Sequence, residues 1–311
     1  MIKPRPLRPG DRVAVVAPSS PFPVEEFEAG LAEIRRIGFE PVFEPSVFDR
    51  EGYEAGPAAT RAAAIGAAVA DESVRAILSV RGGYGAVHVL PRLDPAAFRR
   101  ARKAVVGYSD LTSLLTFVTG TCGLVAFHGP TVAGRLHRGA DGYDRATLLA
   151  LLTREEPLGE LAPAGLDALR RGEAAGTLAG GNLSLLAASL GTPFAFDPPE
   201  GCVLFLEDVS ERPYRLDRLW TQLSQGGIIA RASAVVFGEF PGCDEPGGGP
   251  GARDTLASLA REVAGPVLFG FPSGHTPGAA LTLPFGVRAR VVAGGRPAVV
   301  IEESAVSEES Q

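Results

Sequence analysis

The chain has 311 residues, a length that predicts about two domains. Apolar residues make up 45% of it and charged residues 21%, so it can bury a core and is not a disordered chain. The 39 glycines and 26 prolines are expected in the turns of a folded protein. The formal net charge of −6 disfavours a nucleic-acid-binding protein, which needs positive charge for phosphate.

The three cysteines, Cys122, Cys202 and Cys243, are widely spaced and form no metal-binding pattern. We therefore expect buried thiols in a reducing compartment. The N-terminal segment lacks the apolar stretch of a signal peptide, and no apolar run approaches the ~20 residues of a membrane helix. Together these features predict a cytoplasmic protein that binds neither membranes nor nucleic acids.

Strand-like and helix-like segments alternate through residues 1–134, which predicts an N-terminal domain with a doubly wound parallel sheet. The apolar run Val13–Pro18 is typical of a strand buried on both faces, and helical periodicity follows over Glu25–Ile37. Further strands are predicted over Pro41–Phe43, Val74–Val80, Ala104–Tyr108 and Leu124–Phe127, and helices over Ala58–Ala70 and Asp110–Val118.

A charged, loop-rich stretch over residues 135–175 interrupts this alternation and is predicted to connect two domains. Residues 176–304 combine α/β units with a hairpin signal around Gly294-Gly295, which predicts a second domain with mixed strands. Its predicted strands cover Cys202–Asp208, Ala234–Phe240 and Pro266–Phe271, and its helices cover Leu183–Leu190, Leu216–Ser224 and Asp254–Val263. The polar residues 305–311 are predicted to form a disordered tail.

Ligands of open α/β sheets bind at the carboxyl ends of the strands. In the first half, polar groups at such ends are Ser19, the RGGYG loop (residues 81–85), Ser109 and His128. Adjacent glycines in the RGGYG loop allow backbone N–H groups to approach a ligand closely, although an ordinary turn explains them equally well.

Ser109 follows a predicted strand directly and immediately precedes a predicted helix, in the sequence GYSD at residues 107–110. Such a turn can hold a serine hydroxyl at the positive end of a helix, with the N–H of Asp110 available to an oxyanion. The alternative is that Ser109 only caps the helix, and the motif by itself favours this cap.

In the second half, Glu207 and Asp208 end an apolar strand, and His275 follows another strand in a loop dense in glycine and proline. Glu207 could orient a histidine, whereas Asp208 is more simply explained by a surface turn. His275 lies where a general base can be held rigidly. The chain order Ser, Glu, His is compatible with a catalytic triad, but the pattern leaves open whether the three side chains meet.

These residues lie in longer motifs that resemble those of the bacterial serine L,D-carboxypeptidases, the murein tetrapeptide carboxypeptidase family that also includes microcin C self-immunity proteins. The matching segments are RPGDRVAVVAPSSP, RGGYGAVHVLPRLD, VVGYSDLTSLL, FHGP, GTLAGGNLSLLAASLGTP, LFLEDVSERPYRLDRLWTQL and FGFPSGHTP. The resemblance implies an N-terminal flavodoxin-like α/β domain, a C-terminal α/β domain with mixed strands, and an active site in the groove between them.

The resemblance also implies a role for each catalytic group. Ser109 is the implied nucleophile, His275 the general base and Glu207 the acid that orients it. The implied oxyanion hole consists of the backbone N–H groups of Asp110 and Gly83. The family uses no cofactor and no metal, and its members are typically cytosolic homodimers.

The implied substrate is a murein tetrapeptide that loses its terminal D-Ala from the L-centre of a diamino acid, either lysine or diaminopimelate. Arg81 and Arg212 are candidates to bind its terminal carboxylate because of their positions in the chain. Further candidates for contact with the substrate are Gly82, Tyr84, Ser19 and His128.

Two alternatives remain open at this stage. One is a microcin C-type immunity hydrolase that cleaves aminoacyl or peptidyl nucleotides, and the other is a non-catalytic protein that binds a small ligand. The immunity branch should carry an aromatic loop that stacks on a nucleobase. Trp220 lies in a predicted core helix, and residues 242–251 contain no aromatic residue, so the sequence favours the murein carboxypeptidase.

Overall fold

The structure is a computed structural model that describes residues 1–309. These residues form two compact units: unit 1 comprises residues 1–155, 278–284 and 305–309, and unit 2 comprises residues 156–277 and 285–304. The predicted connection over residues 135–175 is therefore divided between the two units and is not a separate segment. Ser310 and Gln311, the end of the predicted tail, lie outside the described residues.

Strands and helices alternate along much of the chain. The strands are β1 (Arg12–Val16), β2 (Glu40–Val42), β3 (Val74–Ser79), β4 (Ala104–Gly107), β5 (Ala126–His128), β6 (Gly159–Leu161), β7 (Asp167–Arg170), β8 (Gly172–Asn182), β9 (Cys202–Glu207), β10 (Ala232–Phe237), β11 (Val267–Phe269), β12 (Leu283–Phe285), β13 (Arg288–Ala293) and β14 (Ala298–Ile301). The α-helices are α1 (Val24–Arg36), α2 (Ala58–Ala70), α3 (Ala86–Val89), α4 (Pro95–Ala101), α5 (Thr112–Thr116), α6 (Arg145–Thr153), α7 (Leu183–Ser189), α8 (Pro213–Gln225) and α9 (Ala252–Leu259).

Unit 1 contains a six-stranded sheet in the order β12-β5-β4-β3-β1-β2. The pairs among β1 to β5 are parallel, which confirms the predicted parallel sheet. All residues of β4 and β5 are buried, as expected for strands covered on both faces. Because β1, β3 and β4 are parallel neighbours, their carboxyl ends meet at one edge, where Ser19, the RGGYG loop and Ser109 follow them.

Unit 2 contains an eight-stranded sheet in the order β6-β14-β13-β8-β9-β10-β11-β7. Its four central strands, β8 to β11, pair in parallel, while the outer pairs are antiparallel. The prediction of a mixed sheet is thus confirmed. The central strand β8 was not predicted, because its glycine- and alanine-rich sequence lacks the β-branched residues typical of strands. It forms because its backbone approaches β9 closely: a Cβ atom at Gly180 would collide with the carbonyl oxygen of Phe205.

Several buried groups occupy the predicted positions. The three cysteines are free thiols and are buried, and Trp220 is fully buried in α8 among residues such as Leu216 and Phe237. The predicted helix Asp110–Val118 is instead a 3-10 turn (Ser109–Leu111), then α5, then a π-helical turn (Phe117–Thr121). Within residues 1–309, no helix combines the length and the apolar character needed to cross a membrane.

Residues 305–309, the described part of the predicted tail, pack within unit 1, whereas their polar composition predicted disorder. Ala305 and Val306 are buried, and the N–H of Ser307 donates to the carbonyl oxygen of Pro4 at 2.9 Å. The largely buried guanidinium of Arg102 donates to the carbonyl oxygen of Ser307 at 2.7 Å. Polar composition did not indicate this order, because backbone carbonyl groups bind a buried arginine whatever side chains they carry.

Candidate active site

Ser109 lies on a sharp turn between β4 and the 3-10 turn Ser109–Leu111. Its φ is +66°, a left-handed conformation that is uncommon for any residue other than glycine. The extended residue that precedes the turn is Tyr108, so Ser109 is not the simple helix N-cap that its motif favoured. Strained backbone of this kind persists only where the surrounding structure enforces it, and it is concentrated at functional sites.

The RGGYG loop lies directly against Ser109. A Cβ atom at Gly82 would be 2.8 Å from the Cβ of Ser109, 2.9 Å from its Oγ and 3.4 Å from the backbone nitrogen of Asp110. The absence of a side chain at position 82 therefore allows the backbone of the loop to approach the serine hydroxyl. The N–H of Gly83 belongs to the peptide group that joins Gly82 to Gly83, next to the point of contact with Ser109. It therefore remains a candidate oxyanion donor.

The same loop is joined to the residues that follow β1. The N–H of Tyr84 donates to Oγ of Ser20 at 3.1 Å, and the N–H of Ser20 donates to the carbonyl oxygen of Gly82 at 3.3 Å. Gly83 packs tightly on Ser20 and has a φ of +109°, which favours glycine. The two loops thus form one hydrogen-bonded surface beside Ser109.

We expect Gly82→Ala to lower kcat about 100-fold, because the new methyl group must displace the Ser109 side chain or the loop by a substantial fraction of an ångström. The measurement is the rate of D-Ala release from a murein tetrapeptide, the substrate that the sequence resemblance implies. Gly66→Ala in α2 is the matched control, since a Cβ there meets no atom within 4 Å and alanine favours the helix. Equal rates for the two variants would show that close approach at Gly82 does not matter.

Four other predicted contact residues of unit 1 have different environments. Ser19 is fully buried and donates its hydroxyl to Oδ2 of Asp110 at 2.6 Å, and His128 is also fully buried. Neither side chain reaches solvent in this structure, and a direct substrate contact by either stays a prediction. Arg81 and Tyr84 are exposed and remain candidates.

In unit 2, Glu207 and His275 form a hydrogen-bonded pair. Oε2 of Glu207 accepts the backbone N–H of His275 at 2.8 Å and contacts its ring nitrogen Nδ1 at 2.7 Å. Oε1 of Glu207 accepts a hydrogen bond from Nδ2 of Asn182 at 3.3 Å. Glu207 is fully buried, while the His275 side chain keeps 18% of its surface exposed. The carboxylate therefore sets both the position of the histidine backbone and the orientation of its ring.

Asp208 is buried beside this pair and is not the surface turn that the sequence suggested. Its Oδ2 accepts a hydrogen bond from the N–H of Ser184 at 2.8 Å, and its Oδ1 accepts one from Nδ2 of Asn182 at 3.0 Å. Burial, and then the neighbouring charge of Glu207, raise the pKa of Asp208 to about 6. Asn182, which no sequence motif indicated, thus contacts both acids. The sequence did offer one indication of its role: asparagine is a common helix-capping residue, and Asn182 immediately precedes α7.

This raised pKa predicts a pH-dependent stability. The folded state binds the Asp208 proton more tightly than the unfolded chain, in which the pKa of an aspartate is 3.8, so this group stabilises the fold most below about pH 4. Its contribution is lost as the pH rises through about 6. The free energy of unfolding should fall over this range by at most about 3 kcal/mol. Urea unfolding measures the free energy of unfolding of the wild type and of Asp208→Asn at each pH. The wild-type value minus the variant value should decrease as the pH rises, and a constant difference would contradict the prediction.

Arg212 is exposed at the start of α8, and its Nη1 forms an ion pair with Oε1 of Glu245 at 2.6 Å. A substrate carboxylate would have to displace Glu245, which is a small cost because exposed ion pairs contribute little stability. Across residues 1–309, no cluster of three or more His, Cys, Asp or Glu side chains is arranged to hold a metal ion.

Comparison with known proteins assigns the class of this two-unit α/β fold. The family model described as the LD-carboxypeptidase N-terminal domain matches residues 13–129, and that of the LD-carboxypeptidase C-terminal domain matches residues 175–291. The chain therefore belongs to the LD-carboxypeptidase family, peptidase family S66.

Individual relatives agree with this membership. A putative carboxypeptidase of Streptomyces coelicolor is 42% identical over 298 residues, which cover 94% of this chain and 93% of that protein. The probable murein peptide carboxypeptidase of Bacillus subtilis is 33% identical over 324 residues, covering 98% and 96%. The solved structure of the microcin C7 self-immunity protein in complex with aspartyl sulfamoyl adenosine has a TM-score of 0.88 at 24% identity, covering 99% of this chain and 100% of that chain, and shows the shared fold.

Proposed function

We propose that this protein is a serine L,D-carboxypeptidase that removes the terminal D-Ala from murein tetrapeptides. The observation that carries the proposal is the buried Glu207 carboxylate, which binds Nδ1 of His275 at 2.7 Å as a triad acid would. The strained turn of Ser109 and the similarity to the probable murein peptide carboxypeptidase of Bacillus subtilis support it further.

In the proposed acylation step, Nε2 of His275 accepts the proton of Ser109 as Oγ attacks the carbonyl carbon of the bond to D-Ala. Glu207 keeps the other ring proton on Nδ1 and stabilises the imidazolium that forms. The N–H groups of Asp110 and Gly83 donate hydrogen bonds to the oxyanion.

The tetrahedral intermediate then breaks down. The imidazolium of His275 gives its proton to the departing amine of D-Ala, and the tripeptide remains as an ester on Ser109. A water molecule, deprotonated by His275, attacks this ester through a second tetrahedral intermediate. The products are D-Ala, a tripeptide with a free carboxylate, and the regenerated serine, so no cofactor is consumed.

The terminal carboxylate of D-Ala calls for a cationic or N–H donor. Arg81 is the stronger candidate, because it is exposed in the RGGYG loop, which lies against Ser109. Arg212 is the second candidate and is paired with Glu245. We further predict a cytoplasmic location, consistent with recycling of murein peptides, and assembly as a homodimer.

One assay separates this function from its alternatives. The protein is incubated with murein tetrapeptides that carry lysine or diaminopimelate at the third position, and separately with an aminoacyl-sulfamoyl adenosine. We expect release of D-Ala from a tetrapeptide. Cleavage of the nucleotide alone would identify an immunity-type hydrolase instead. The structure gives no support for that outcome from Trp220, which is fully buried, donates a hydrogen bond to Glu262 and is not available to stack on a nucleobase.

A third outcome would identify a non-catalytic binding protein. In that case neither substrate is cleaved, and a serine-reactive fluorophosphonate leaves Ser109 unlabelled while the protein still binds a murein peptide. Intact mass spectrometry of the labelled protein measures this directly. Labelling of Ser109 together with release of D-Ala supports the proposed enzyme.

A further inference from the structure

Two buried, oppositely charged side chains bind opposite sides of one peptide group in unit 1. Oδ2 of Asp110 accepts the N–H of Ala86 at 2.8 Å, and Nη1 of Arg61 donates to the carbonyl oxygen of Gly85 at 2.8 Å. These two backbone groups belong to the same peptide unit, which ends the RGGYG loop. Asp110 is 1% exposed and Arg61 3% exposed, so water does not compete for either contact.

The same two side chains hold the segment that follows β1. Oδ2 of Asp110 also accepts the hydroxyl proton of Ser19 at 2.6 Å, and Nη1 of Arg61 also donates to the carbonyl oxygen of Pro18. The loop after β1 and the RGGYG loop are therefore both bound to this Asp110–Arg61 clamp. The clamp is independent of the hydrogen bonds that Ser20 makes with the RGGYG loop.

Arg61 is itself held in place from two further directions. Its Nε donates to the carbonyl oxygen of Gly56 at 2.9 Å, and its Nη2 forms an ion pair with Oε2 of Glu54 at 2.8 Å. The planar guanidinium can serve these acceptors together because its donors point in fixed directions. A lysine at this position has one ammonium group and cannot reach all of them.

We propose that Asp110 and Arg61 are positioning residues that fix the RGGYG loop against Ser109, a role that rests on the proposed serine mechanism. The glycines of this loop give its backbone wide freedom, whereas an oxyanion donor must be held within about 0.5 Å of its productive position. The loop begins at the rigid end of β3 and, at its other end, is held by the clamp. Because Asp110 also follows Ser109 directly, its side chain ties the loop to the nucleophile's own turn.

Gly85 shows how tightly this clamp is packed. Its φ is +121°, and a Cβ atom there would be 2.6 Å from Oε1 of Glu54 and 3.0 Å from Nη1 of Arg61. A side chain at position 85 would therefore push the guanidinium away from the peptide group that it binds. Gly85 thus leaves room for the Arg61 guanidinium, whereas Gly82 allows the loop to approach Ser109 closely.

The hydrogen bonds of Asp110 indicate that an acceptor atom, rather than a full charge, is needed. A single oxygen, Oδ2, accepts both bonds, and Oδ1 accepts none from residues 1–309. Burial raises the pKa of Asp110, because the buried carboxylate carries a desolvation cost that an uncharged amide of the same shape does not. Asp110→Asn can keep both bonds through its amide oxygen, so it is the conservative partner of Asp110→Ala.

The test combines steady-state kinetics with amide hydrogen exchange, followed by mass spectrometry, of the peptide that covers residues 82–88. We expect Asp110→Ala to lower kcat for D-Ala release about 100-fold with KM changed less than about threefold. The same variant should raise exchange in this segment at least about tenfold. Asp110→Asn should recover most of both losses, and Arg61→Lys should lower kcat about tenfold with increased exchange.

Two control variants are matched to these changes. Glu33 is a buried acid of unit 1 that accepts bonds from Arg36 and Tyr143, and Arg102 is a buried arginine that donates to backbone carbonyl oxygens. Glu33→Ala and Arg102→Lys should lower thermal stability without raising exchange over residues 82–88. If kcat falls as much in these controls as in the Asp110 and Arg61 variants, the clamp only stabilises the fold and does not position the loop.

Two results would overturn the proposal: wild-type protection of residues 82–88 in Asp110→Ala, or no recovery of protection in Asp110→Asn. If Asp110→Ala does not fold, Arg61→Lys compared with Arg102→Lys decides the question. The exchange measurement does not depend on catalysis. A wild-type protein without carboxypeptidase activity would therefore reject the proposed function and still report on the clamp.

Discussion

Ser109→Ala is expected to lower kcat for D-Ala release by about 10⁴-fold or more, because the hydroxyl oxygen is the only atom that forms the acyl-enzyme in the proposed mechanism. The backbone at this turn should stay in place, since alanine differs from serine only by the hydroxyl group. D-Ala release is measured over hours to quantify the residual rate. Fluorophosphonate labelling, followed by mass spectrometry, should disappear in the same variant.

Ser113→Ala is the matched control, because Ser113 lies one turn further along the chain, in α5. We expect its rate to stay within about threefold of wild type. Thermal unfolding of both variants checks that the fold is retained. A Ser109→Ala rate within tenfold of wild type would remove Ser109 as the nucleophile.

His275→Ala is expected to have a loss of similar size, about 10⁴-fold in kcat, because no other group would take the proton from Ser109. The buried Glu207 carboxylate loses its contact with the ring, while the backbone N–H of position 275 and the amide of Asn182 can still donate to it. We therefore expect a moderate loss of stability as well. Kinetics and thermal unfolding are measured on the same preparation.

His137→Ala is the control for removal of a partly buried histidine, and its rate should remain close to that of wild type. Glu207→Gln adds a finer comparison, since its amide oxygen can still accept from His275 while the negative charge that stabilises the imidazolium is lost. Its kcat should fall between those of wild type and His275→Ala. A His275→Ala enzyme with more than a tenth of the wild-type rate would exclude His275 as the general base.

Local patterns predicted much of the fold. Helix α2 has the predicted bounds, Ala58–Ala70, because a run of alanines favours helix whatever surrounds it. The apolar run that begins at Val13 was recognised as a buried strand for the same local reason. Strand β8 was missed because its glycines and alanines are weak strand formers, and only close packing on β9 makes their small size an advantage.

The sequence likewise indicated some features of the candidate site and not others. The rule that ligands bind at strand ends selected Ser109, the RGGYG loop, Glu207 and His275 from the sequence alone, because each lies at or shortly after the end of an apolar strand. The rule could not separate Ser19 and His128, which also follow strands but are fully buried. Asp208 directly follows Glu207, the last residue of β9, and it is buried although the sequence favoured a surface turn.

By its length, composition and strand-end motifs, the sequence determined an α/β protein of two domains and the residue types available for its chemistry. Only the tertiary structure decided which of these residues bind one another. Glu207 and His275 are 68 residues apart in the chain, and Asp110 and Ala86 are 24 apart. Hydrogen bonds at such separations depend on strand order and register, which arise from the packing of the whole sheet and not from any local pattern.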